Sequence, residues 1–213
     1  MKTEGNIMKL KNTLAAGVLF TASALGVAVP VVHAEVSASV SAANMYYFRG
    51  ADLGNGDAAL SADINYSVSG FTVGAWTSSG DATNGTEYDI YAGYEGSVGD
   101  FSYGAGAIAY IYPEVSIRAG DYTEAYLTLG YAGFEAHYYK AVTGGDYNYF
   151  TVSYAYEQFS LLYGQHEGDA SHLDFTYTYN DNLSFTLGKV LEEKDYYLND
   201  EAKFVVSLTL PIK

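Results

Sequence analysis

A two-residue alternation that returns segment after segment constrains this chain more than any other feature. Within Ser171–Lys189, Leu173, Phe175, Tyr177 and Tyr179 share one face, and His172, Asp174, Thr176 and Thr178 share the other. After Asn180-Asp181-Asn182 the pattern resumes with Leu183, Phe185 and Leu187. Successive side chains of a β-strand point to opposite faces, so the pattern predicts a sheet with one apolar and one polar face. Segments of the same character occur at 36–48, 58–68, 70–78, 86–95, 101–112, 122–131, 134–142, 147–156, 159–166, 172–179, 183–191 and 203–212, which makes twelve.

The chain ahead of these segments is different. Met8-Lys9-Leu10-Lys11 is basic, the run from Leu14 to Val32 is apolar, and Val32-His33-Ala34 precedes Glu35. That order of basic, apolar and small-residue regions is the plan of a secretory signal peptide, although the run also approaches the length of a spanning helix. Residues 1–34 are therefore expected to be a cleaved signal, and 35–213 the mature domain, exported through the periplasm. Removing 34 of 213 residues leaves 179. No later stretch is long and apolar enough for a transmembrane helix, so the mature chain is either soluble or a β-barrel.

A length count favours twelve strands. At about ten residues each, the length of a tilted membrane strand, they leave connections of about five residues, whereas eight strands would leave connections of about fourteen. The connections also alternate in kind. Tight ones fall at Ser69-Gly70, 96–100, Gly133, Glu157-Gln158 and 180–182; longer, more acidic ones fall at 50–57, 79–85, 113–121 and 192–201, with 144–146 and 168–170 as shorter exceptions. Short turns at one end and longer loops at the other describe an outer-membrane barrel with both termini on the periplasmic side. The loops look too short to fold deep into the barrel as a plug.

The polar face holds acids, hydroxyls and seven glycines: Gly74, Gly93, Gly104, Gly106, Gly130, Gly164 and Gly188. Glycine is depleted in strands and is a loss on an outer wall, but on the concave face it makes room for large neighbours such as Trp76, Tyr91, Tyr110, Tyr126 and Tyr149. Acid, hydroxyl and glycine are thus expected inside, with aliphatic and aromatic side chains against lipid. The inverse arrangement would bury many carboxylates without partners. The fold class is all-β: a transmembrane antiparallel β-barrel of about twelve strands.

Residues carrying these patterns also resemble a known family. "MYYFRGADLGNGDAALSADINYSVSGFTVGAW" and "TEYDIYAGYEG" are similar to the core of the TorF family, proteobacterial outer-membrane proteins classed as porins from sequence. The likeness runs from about Ser39 to the C-terminus and centres on Phe48-Arg49-Gly50, the Gly70 to Trp76 spacing, and Glu87-x-Asp89-x-Tyr91-x-Gly93-Tyr94. It implies an outer-membrane barrel with a channel role and supplies no catalytic residues.

Charge narrows the function further. Of 10 basic and 25 acidic residues, loss of Lys2, Glu4, Lys9 and Lys11 leaves 7 and 24. Nucleic acid is excluded as a partner, because neutralising phosphates needs clustered Lys and Arg. Cys 0 excludes a disulfide framework and thiolate metal sites. No nucleophile elbow, zinc-protease or phosphate-loop motif is present, so no enzyme activity is expected. A Ser160/His/Asp174 set is conceivable only by geometry. His172 and Asp174 do not make a metal site by themselves, and Asp52–Asp57 lacks the calcium-loop spacing.

The expected lumen lining is Arg49, Asp63, Trp76, Glu87, Asp89, Tyr91, Glu95, Glu124, Glu135, His137, Glu157, His172 and Asp174. Arg49 is expected to pair with a lumen carboxylate such as Asp63 or Glu87. The acids would attract cations and repel anions. The expectation is a monomeric, cation-preferring pore without cofactors or a metal. Its partners would be small solutes or ions, outer-membrane lipid and lipopolysaccharide, and the barrel-assembly machinery. The alternatives are a closed structural barrel and a surface-loop adhesin.

Overall fold

The computed structural model describes residues 34–193 and 198–212. The expected signal segment lies outside the described residues but for Ala34. The strands are β1 (Glu35–Ala43), β2 (Tyr47–Phe48), β3 (Ala51–Asp52), β4 (Ala59–Val68), β5 (Phe71–Asp81), β6 (Gly85–Val98) and β7 (Phe101–Tyr112). They continue with β8 (Ile117–Tyr131), β9 (Phe134–Thr143), β10 (Asn148–Tyr156), β11 (Phe159–His166), β12 (Ser171–Thr178), β13 (Leu183–Glu192) and β14 (Lys203–Ile212). β1 and β4–β14 form a closed barrel, and β2 and β3 form a separate two-stranded sheet. Every pairing is antiparallel, and β1 closes the ring by pairing with β14 from Ala38↔Ile212 to Ala43↔Ser207. Closure leaves no free edge to aggregate.

The segments expected from 58 onward each become one barrel strand. The first does not run to 48. β1 ends at Ala43 because Asn44 turns its amide onto β14, donating Nδ2 to the Phe204 carbonyl at 2.9 Å and accepting from the Val206 N–H at 2.6 Å. The Asn44 N–H still donates to the Val206 carbonyl at 3.2 Å, so its backbone and side chain together end the ladder, and the chain leaves the wall beyond it.

Connections at the end that holds both termini are tight: 69–70, 99–100, 132–133, 157–158 and 179–182. Ser69-Gly70 and Ala132-Gly133 have φ values of 53°, 84° and 50°, 86°. Positive φ at both central residues is the hairpin turn whose twist matches the flanking strands. At the opposite end, two expected loops are shorter than their composition suggests. Asp81 accepts from the N–H groups of Thr83 and Asn84 at 2.8 Å, which lets β5 and β6 run on to 82–84. β8 starts at Ile117, so 113–121 shrinks to 113–116. Among the connections between the described barrel strands, 44–58 and 193–202 are the ones that reach ten residues or more.

Outward side chains are apolar and inward ones polar. Leu60, Ile64, Ile90, Leu127, Phe175 and Phe204 are exposed, while Glu87, Asp89, Glu124 and His172 are buried. The outer aromatics gather beside the tight turns: Phe71 lies 4.8 Å from Tyr94, Phe134 4.6 Å from Tyr154, and Phe159 5.3 Å from Tyr177, measured between ring centres. A belt of aromatic rings near the end of an apolar wall marks where a membrane barrel meets the headgroups. Inside, tyrosines fill the space over glycines. A Cβ on Gly74 would collide with Tyr91, one on Gly106 with Tyr126, and one on Gly164 with Tyr149 and His172.

Candidate functional site: a hairpin inside the barrel

The chain that leaves the wall at Asn44 folds into the lumen. Tyr47↔Asp52 and Phe48↔Ala51 pair across a two-residue turn, Arg49-Gly50, with φ of 49° and 87°. Gly suits the second position because it adopts positive φ without strain. A Cβ there would also meet the His172 ring at 2.9 Å. The Leu53 N–H donates to the Tyr46 carbonyl at 2.8 Å and extends the ladder. Below the hairpin, Asp52 accepts from the N–H groups of Gly54 and Gly56 at 3.1 and 2.8 Å. The calcium-like run Asp52–Asp57 is thus organised around its own backbone.

This hairpin is a plug, so the expectation of loops too short to reach inside is overturned. The sequence alternation leaves only 50–57 as the connection, whereas β1 ends at Ala43 and the connection runs from 44 to 58, long enough to double back across a two-residue turn. Its side chains reach three sectors of the wall. Tyr46 donates to Glu87 of β6 and packs 6.2 Å from the Trp76 ring. Burial, then the Glu87 charge, push the Tyr46 phenol above its ordinary pKa, so it keeps its proton as the donor. Tyr47 donates to Asp174 of β12 at 2.6 Å. Arg49 makes a two-pronged bond to Glu124 of β8, Nη1 to Oε1 at 2.9 Å and Nη2 to Oε2 at 2.7 Å.

Arg49 does pair with a lumen acid, but the partner is Glu124 rather than Asp63 or Glu87. The reason is reach: Arg49 stands at the tip of the hairpin, in mid-lumen, and not on the wall of β1. The two side chains are 7% and 1% exposed, so this ion pair is out of water. Four rings surround the guanidinium: its Cζ lies 4.6 Å from the centres of Tyr139 and Tyr149, 4.7 Å from Phe48 and 5.7 Å from Tyr147. Tyr110 donates to Glu124 at 2.8 Å, and His166 Nε2 holds the Arg49 carbonyl at 2.9 Å.

The other expected lumen residues fall into three groups. Trp76, Glu87, Asp89, His172 and Asp174 join Arg49 and Glu124 around the plug. His172 Nδ1 lies 3.1 Å from Asp174 and its Nε2 lies 2.7 Å from the Tyr149 hydroxyl, so imidazole and carboxylate meet directly. Asp89 is buried with one oxygen, Oδ1, lacking a hydrogen-bond partner. Nearer the tight turns, Tyr91 donates to Asp63 at 2.8 Å, and His137 bridges Glu135 and Thr128. Glu95 faces inward beside Gly104 at the mouth and is exposed. Glu157 is not in the lumen. It is the first residue of the 157–158 turn, at φ 52°, where a polar residue continued the sequence alternation past the end of its strand.

Burial therefore changes along the axis. Around the hairpin the lining is sealed, as at Tyr149, Glu124 and His172, whereas Asp63, Asn65, Thr72, Ser102 and Glu135 keep partial contact with solvent. Sequence reasoning missed Tyr46, Tyr47, Phe48, Tyr139, Tyr147 and His166 as plug contacts. A signal existed in Tyr47-Phe48-Arg49-Gly50-Ala51-Asp52, an Arg-Gly pair between short extended runs, but it reads equally as the end of a strand and a loop.

Residues 28–201 match a family described as bacterial protein of unknown function, Gcw_chp. The chain belongs to that family. The match takes in the inserted hairpin and every barrel strand except β14, so the plug and most of the wall fall within one Gcw_chp unit. A comparison of this Gcw_chp protein with curated proteins finds no match.

Proposed function

We propose that this protein is an outer-membrane channel for small solutes, preferring cations, whose path is closed at the loop end by its own inserted hairpin. The observation that carries this reading is the chemistry of the plug contacts. A barrel sealed for stability alone would be filled with apolar side chains, but the hairpin is held by an ion pair and two phenol–carboxylate bonds. Polar contacts of that kind exchange with water when the element moves. The acid-lined mouth below it, with Asp63, Glu95 and Glu135, would concentrate cations. The resemblance to the TorF porins agrees with this role, and so does a lumen between the filled eight-stranded and the aqueous sixteen-stranded classes. Transport here is diffusion without bond chemistry, by a monomer embedded in lipid and lipopolysaccharide after delivery by the barrel-assembly machinery.

The test compares the wild type with a plugless barrel. Ala43 and Ala59 are ladder partners, so a two-residue Asn-Gly turn can replace 44–58 without disturbing β1 or β4. In planar bilayers the wild type should open rarely and in small steps. The plugless form should give steady, larger, cation-selective steps across a KCl gradient. A folded plugless barrel that stays silent would overturn the channel reading and favour a structural barrel.

A further inference from the structure

The Arg49 guanidinium is held as a separate small ligand would be held. Nη1 and Nη2 each take one oxygen of Glu124, the paired geometry that suits a guanidinium to a carboxylate. Cζ sits over the rings of Tyr139 and Tyr149. Nε has no hydrogen-bond partner, so the wall grips the forked head and makes no polar contact with the stem that ties it to the backbone.

None of these wall groups belongs to the hairpin. Glu124, Tyr139 and Tyr149 project from β8, β9 and β10, and Tyr147 immediately precedes β10. Tyr110 on β7 donates to Oε2 of Glu124 at 2.8 Å. The rings prop one another, with centres 6.1 Å apart for Tyr139 and Tyr149 and 6.0 Å for Tyr126 and Tyr139. Aromatic faces around a carboxylate make a receptor for an organic cation. A planar guanidinium fits it better than an ammonium, being more weakly hydrated and matched to both carboxylate oxygens.

We propose that Glu124, Tyr110, Tyr139, Tyr147 and Tyr149 form a binding site for a small guanidinium-bearing solute, and that Arg49 occupies it as an internal competitor. The inference deepens the channel reading and rests on it, since the solute would reach the box through the lumen. A solute in the box removes the hairpin's ion pair, so solute binding and plug seating oppose each other by the same factor.

The experiment uses Arg49→Ala in the full chain, with methylguanidinium chloride as probe and methylammonium chloride and methylurea as comparators. Millimolar methylguanidinium should raise the Tm of the folded, detergent-solubilised variant by about 2–4 °C. Methylammonium should do less, methylurea nothing, and adding Glu124→Gln should abolish the response. A methylguanidinium effect no greater than that of methylurea, or one that survives Glu124→Gln, would overturn the site. If Arg49→Ala does not fold unaided, the yield of heat-modifiable barrel refolded with each probe reads the same binding. Conductance is recorded separately. If the variant binds the probe but the plugless barrel stays silent, the site stands and the channel reading ends; if the plugless barrel conducts but the variant ignores the probe in the melt, the channel stands and the site ends.

Discussion

Tyr47 of the inserted hairpin lies directly on Gly188 of β13, where a Cβ would collide with its hydroxyl and ring, and from that position it donates to Asp174 at 2.6 Å. The plug is therefore seated by a missing side chain on the opposite wall as well as by the ion pair at its tip. Gly188 is inward in the register, opposite Asp174. Its smallness serves the plug rather than the strand, in which glycine is a weak choice.

Gly188→Ala should push Tyr47 off the wall and cost about 1–3 kcal/mol, the usual range for overpacking. Adding Tyr47→Ala should recover much of that loss, because the clash disappears with the ring. Reversible urea unfolding of the four proteins in a double-mutant cycle checks it. Additive losses would show that the two residues do not touch.

Arg49→Ala removes the ion-pair partner of the buried Glu124 beside Tyr110, so it should destabilise the folded barrel by about 3–5 kcal/mol. Glu124→Gln made in the Arg49→Ala background should return part of that stability, since the unpaired charge is removed. The same unfolding assay reads both. Equal stability of the wild type and Arg49→Ala would mean the pair is hydrated in solution.

Trp76 is the sole tryptophan, Trp 1 in the composition, and it is buried against Tyr46. Its fluorescence therefore reports the plug. Acrylamide should quench it weakly in the wild type and several-fold more strongly in the plugless barrel, where Tyr46 is gone and water enters. Similar quenching in both forms would place Trp76 out of reach of the hairpin.

Phe175 and Ser153 lie at similar distances from the tight turns but face opposite ways, the first exposed on the outer wall and the second inward beside Glu135 in the β9–β10 register. Phe175→Arg should cost about 2–4 kcal/mol if it meets the bilayer midplane, whereas Ser153→Arg should cost less than about 1 kcal/mol. Refolding into lipid vesicles with a urea titration separates them. Equal costs would reverse the assignment of faces.

Much of this was legible in the chain itself. Each strand writes its own period, so β4 to β14 could be placed from local alternation, and the choice of faces followed from the cost of burying unpaired carboxylates. The glycines on the polar face already implied large inward partners, and Tyr91, Tyr126 and Tyr149 fill that role. Legibility failed where a local pattern had two tertiary outcomes. Tyr46-Tyr47-Phe48 reads as three more residues of β1, and Glu157, although it falls in a tight connection, keeps the inward phase of β10.

Sequence alone determined a closed, apolar-walled, acid-lined barrel, because strand period, turn residues and charge burial are short-range constraints that each segment satisfies by itself. Only the tertiary structure decided that the first connection enters that barrel. Entry depends on Asn44 capping a strand that is 160 residues away in the chain. It also needs a lumen wide enough to admit a hairpin, with an acid on β8 and a tyrosine on β9 to meet Arg49 and a glycine on β13 to receive Tyr47. Those relations are set by barrel closure and strand stagger, and no local stretch of residues contains them.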